Sequence, residues 1–148
     1  MLLTKTEITA LIAMDKVKAN DETWLYPNLG GKISIPLMSA DKREQFSLDI
    51  TRGRIDLRKG TYQNRARQVI VLVRLDFGGS PHRNPDGEEM PCPHLHICDE
   101  KYGTKWAVAV PKEHFGKVSD PQVTLGDFMH FCHIVDPPTI QWSIGYND

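Results

Sequence analysis

The chain has little of what marks a secreted, membrane-spanning or repetitive protein. Three cysteines, Cys92, Cys98 and Cys132, are spread through 148 residues. That odd, sparse set does not make a disulfide framework. The longest uninterrupted apolar run, Val69–Val73, is far short of the ~20 residues a membrane-spanning helix needs, so no membrane partner is expected. Met1-Leu2-Leu3-Thr4-Lys5 lacks the basic region, apolar core and cleavage site of a secretory signal, and the cytoplasm is the expected location. The chain also has no internal repeat and no low-complexity tract.

What is present is an ordinary folding composition: 40% hydrophobic and 25% charged residues, which excludes a disordered chain. At 148 residues one domain spanning 1–148 is the economical reading. The net charge is only −1, but it is polarised. From Arg52 to Arg74 there are seven basic residues (Arg52, Arg54, Arg58, Lys59, Arg65, Arg67, Arg74) against Asp56. From Asp76 to Glu100 there are six acids against Arg83. Such a division steers an anionic partner to one side, or pairs with itself across a sheet.

Thr4-Lys5-Thr6-Glu7 reads as a capping box, and Ile8, Leu11, Ile12 and Met14 continue an apolar face, predicting a helix over about 5–18. From there to Val110 the period is two. Ile33, Ile35 and Leu37 alternate, with Pro36 placing that strand at an edge or a bulge. Phe46, Leu48 and Ile50 alternate, then Arg52-Gly53 offers a tight turn into Ile55 and Leu57. Tyr62 to Arg67 leads into Val69–Val73, read as a central strand. The loop from Gly78 to Pro93 exceeds a simple hairpin connection, and loops of that length in compact domains are usually functional or disordered. His94–Cys98 and Lys105–Val110 read as strands, a second helix is expected after a cap at Thr124-x-x-Asp127, and Thr139–Ile144 as a last strand. The expected fold is α+β: a twisted, mostly antiparallel sheet, with barrel closure as one outcome, between an N-terminal and a C-terminal helix.

The chemistry concentrates at Pro93-His94-Leu95-His96. Side chains alternate along a strand, so His94 and His96 face the same way. Two imidazoles at the end of a polar loop suit proton transfer, metal ligation or phosphate binding. One reading is metal-independent RNA cleavage, which needs a base, an acid and cations for the phosphorane charge. His94 and His96 would move the protons, with Tyr62 as a further proton donor or stacking group. Arg52, Arg54, Lys59, Arg65 and Arg67 would hold phosphates, and His82, Arg83 and Asn84 would contribute from the loop. The plainer alternative is a pair of half-exposed strand histidines bonded to loop carbonyls.

The metal reading uses the same strand. His94-x-His96-x3-Glu100 resembles the first metal motif of cupins, small β-barrels in which two histidines and a glutamate bind one ion. The resemblance implies iron or manganese at His94, His96 and Glu100, and zinc if Cys98 joins. It spans about seven residues, and no second cupin motif follows. His130 and His133 share a helical face without an assignable partner pair, and Cys132 reads as core. More broadly, Arg-Leu-Asp, Pro-His-Arg-Asn-Pro-Asp-Gly, Pro-His-Leu-His and Lys-Tyr-Gly-x-Lys-Trp-Ala together resemble a small family of uncharacterised bacterial and phage proteins over residues 46–135. The Arg/Lys/Tyr/His palette is similar in chemistry to endoribonuclease toxins. Three classes follow: an RNA-cleaving toxin-like enzyme, a small metal-binding β protein, and a non-catalytic phage or mobile-element protein that binds a cognate protein partner.

Overall fold

The computed structural model describes residues 3–56 and 58–142. The capping box forms as read: Glu7 N donates to Thr4 Oγ1, and Thr4 N donates to Glu7 Oε1, both at 3.1 Å. Helix α1 (Lys5–Ala13) buries Ile8 and Leu11. It stops short of the expected residue 18, because Lys16–Lys18 become strand β1, paired with later strands on both sides. Strands β2 (Thr23–Leu25), β3 (Lys32–Ser39), β4 (Gln45–Arg52), β5 (Gly60–Ala66) and β6 (Ile70–Phe77) follow. The long loop carries a two-residue hairpin, β7 (His82–Arg83) with β8 (Glu89–Met90). Then come β9 (His94–Ile97), β10 (Val108–Ala109), helix α2 (Pro121–Phe131), β11 (Ile134–Asp136) and β12 (Thr139–Gln141).

The main sheet runs β10-β9-β6-β5-β4-β3-β1-β11, antiparallel except for the β1–β11 pair. This is the α+β fold the sequence implied, without barrel closure: short β10 and β11 form two open edges. Three local expectations need correction. Pro36 lies in β3, between β4 and β1, but β1 pairs only with Leu37–Ser39, so no neighbour requires the missing N–H. The partner of β4 is Gly60–Ala66 rather than Ile55 and Leu57; Ile55 is 93% exposed in the connecting loop, and Leu57 lies outside the described residues. The second helix is capped by Asp120, whose side chain accepts from Gln122 N and Val123 N, with Pro121 in the first turn. Thr124 is inside that helix, its hydroxyl donating to Lys117 O and Val118 O. Of the expected last strand, residues 143 and 144 lie outside the described residues.

One sheet face meets the helices. Ile35, Leu37, Leu48, Ile50, Tyr62, Leu75 and Leu95 join Ile8, Leu11, Leu125 and Phe128 in one buried cluster. Lys16 is buried there too. Its ammonium donates to Ile12 O, Met14 O and Cys132 O at 2.8–3.0 Å, tying the ends of α1 and α2 together. Burial pushes its pKa down to about 8.

The other face is polar, and the loop over 78–93 folds against its β9 end. Asn84 fastens that loop: its amide donates to Ala107 O at 3.0 Å and accepts from Ala107 N at 2.8 Å. Asn84→Ala leaves two buried main-chain groups unpaired, and is expected to lower stability by roughly 2 kcal/mol. Urea unfolding reads the loss, and faster amide exchange at residues 82–96 locates it. Unchanged exchange there would remove Asn84 from this role.

Candidate metal centre

The register of the sheet assembles the site. Two rows cross the polar face in direct pairing: Ser34, Asp49, Gln63, Arg74 and His96, and beside them Lys32, Thr51, Thr61, Asp76 and His94. Arg74 and Asp76 on β6 therefore stand opposite His96 and His94 on β9, all on one face.

The contacts define protonation. His96 Nδ1 is 2.7 Å from Thr104 O, an oxygen that only accepts, so this nitrogen carries the proton. With Nδ1 as the donor, the Nε2 lone pair accepts from Arg74 Nη2 at 3.0 Å. His94 Nε2 donates to Asp76 Oδ2 at 3.2 Å, and its Nδ1 is 3.5 Å from Cys92 Sγ. Asp76 Oδ2 lies 3.5 Å from His96 Nε2 and 3.3 Å from Arg74 Nε, while Oδ1 accepts from Thr61 Oγ1 at 2.9 Å. Burial pushes the Asp76 carboxyl up, but the charge of the Arg74 guanidinium and the bond from Thr61 hold the group well below the usual carboxylate range.

Asp76, His94 and His96 each direct one ligand atom inward, and the three atoms lie within 4.8 Å of one another. Two imidazoles and one carboxylate at that spacing match the donor set of an iron, manganese or zinc site. The Nδ1 of His96 is already held by Thr104 O, which fixes the orientation of its ring. The Arg74 guanidinium now occupies the His96 lone pair and must turn aside for an ion to bind.

A family model matches residues 3–134, from before α1 to the first residue of β11. The chain belongs to DUF6978, a family of unknown function. No curated protein and no solved structure matches. The family match takes in all three donors of this DUF6978 member, and the membership agrees with the resemblance to an uncharacterised family. No helix among the described residues is long and apolar enough to cross a membrane.

The other residues singled out from the sequence are dispersed. His94 and His96 are 2% and 0% exposed, so the open imidazole face is not formed. The His82 ring closes over them, its centroid 5.8 and 4.7 Å from theirs, with Nε2 donating to Lys105 O at 2.7 Å. Tyr62 is on the opposite face, in the core, where its hydroxyl bonds to Tyr26 Oη at 2.8 Å and donates to Pro121 O at 2.9 Å. Arg52 is on that core side as well, donating to Pro27 O. Arg65 shares the polar face but is bound to Asp49, Ser34 Oγ and Gln68 O. Arg67 pairs with Glu44 at 2.7 Å, Arg83 pairs with Glu89 at 3.2 Å, and Arg54 is exposed. Glu100 is exposed in a turn, and Cys98 lines a separate hollow with Leu3 and Ile8. The third donor is Asp76 instead. Its signal was legible: Arg74-x-Asp76 interrupts an apolar strand with the same spacing as His94-x-His96.

Proposed function

We propose that this protein is a metal-binding β protein whose ion sits between Asp76 Oδ2, His94 Nε2 and His96 Nε2. The single observation that carries the reading is the mutual approach of one ligand atom from each residue within 4.8 Å. Burial supports an ion over direct acid–base work on RNA, because sealed imidazoles can hold a cation but cannot touch a polymer. The ion would supply Lewis acidity or an activated water. Binding requires the His94 proton to move from Nε2 to Nδ1, beside Cys92 Sγ, so that Nε2 can offer its lone pair.

Protein purified without chelator is expected to carry about one manganese, iron or zinc per chain, and His96→Gln almost none. Elemental analysis measures both. Less than about one ion in ten chains, after incubation with each metal and gel filtration, would overturn the assignment.

A further inference from the structure

Only one of the three donors reaches solvent. The Asp76 side chain is 23% exposed, against 3% for His94 and 0% for His96. Asp76 also forms a wall of a cavity of about 250 Å³, shared with Lys59, Gly60, Thr61, Gly79, Ser80 and Cys92. Asp76 is therefore the donor through which an ion would meet this cavity.

Lys59 lines the same cavity, and the backbone explains why it is there. Gly53 N donates to Lys59 O at 2.8 Å, closing the loop between β4 and β5. That loop touches the start of the long loop at Gly78, where φ is +68° and a Cβ would lie 2.3 Å from Arg58 O. Only glycine permits that approach. It lays the Lys59 side chain along Gly79, with Cε 3.4 Å from the position a Gly79 Cβ would take. Lys59 is exposed and forms no ion pair among the described residues. Gly79 and Ser80 give the cavity a small, polar floor.

We propose that this cavity receives a phosphoryl oxyanion, held between Lys59 and the ion on Asp76. The inference rests on the metal centre of the proposed function and names its ligand class. Two cations lining a pocket this small favour a compact, multiply charged oxygen group over an apolar ligand. A free phosphate and a phosphodiester of RNA present the same chemistry.

The test uses metal-loaded protein with two probes, inorganic phosphate and a single-stranded RNA hexamer, and ion content is measured in every sample. Lys59→Ala is expected to weaken phosphate binding by about tenfold with full ion content. Gly79→Ala seats a methyl in the cavity at ordinary contact distances from Lys59 and Cys92, and is expected to weaken it likewise. RNA bound more tightly than phosphate, and displaced by it, identifies the diester as the ligand. Phosphate bound without RNA identifies the free ion or a monoester. Loaded wild type indifferent to both probes, or Lys59→Ala binding as wild type does, overturns the oxyanion site alone. Protein that holds no ion overturns the metal centre first.

Discussion

Asp76→Asn and Arg74→Gln are expected to move metal affinity in opposite directions. Asn keeps the size of Asp76 and an oxygen for Thr61, but removes the negative charge that faces both imidazoles. Affinity should fall by at least about 100-fold, more than the loss typical of a group that only hydrogen-bonds a ligand. Arg74→Gln removes a guanidinium that lies 3.0 Å from the His96 lone pair. A cation in that place repels an incoming ion and blocks its ligand, so affinity should rise by about tenfold. Both variants break the Arg74–Asp76 pair, which is about a quarter exposed, and should lose on the order of 1–3 kcal/mol of stability. The shared loss of stability makes the opposite change in affinity informative. A purely structural cluster predicts destabilisation with no ion binding in any of the three proteins. Competition against a chromophoric chelator measures the affinities, and indistinguishable values would remove the ion from this site.

Lys16→Met should cost roughly 2 kcal/mol at pH 7, because three carbonyls at the ends of α1 and α2 lose their donor. Its pH signature is unusual for a lysine with partners. Burial lowers the native pKa to about 8, against an ordinary value of 10.5. Below pH 8 both the native and the unfolded chain hold this proton. Between 8 and 10.5 the unfolded chain still holds it while the native chain has released it, so native stability rises with pH. The rise reaches up to roughly 3 kcal/mol across that window. It should vanish in Lys16→Met, and urea unfolding of both proteins from pH 7 to 10.5 measures the difference. Parallel curves for the two proteins would refute the buried, shifted ammonium.

Several features could be read directly from the chain. The cap at Thr4 and Glu7 is decided by residues three apart, and the same-side placement of His94 and His96 by two. The β4 segment was visible in its alternation, and the β6 segment in its apolar run. What failed were boundaries set by distant partners. Lys16–Lys18 left the helix because β3 and β11 offered pairing on both sides. Ile55 continued an alternation, yet the chain turns there because Gly60 begins the strand that matches Arg52. The basic stretch illustrates the same limit: Arg65 and Arg67 looked available for phosphate, but Asp49 and Glu44, 16 and 23 residues away, had claimed them.

By itself the sequence determined the two periods, the cap of α1 and an imidazole pair facing one way, because each depends on backbone geometry over a few residues. The tertiary structure alone decided that the pair meets Asp76 and Arg74, 18 and 22 residues earlier, and that His82 covers it. Register between β6 and β9, and the docking of the loop joining them, are settled by cross-strand bonds and by Asn84 gripping Ala107. Alternation within one strand carries no information about which residue of its neighbour will stand opposite.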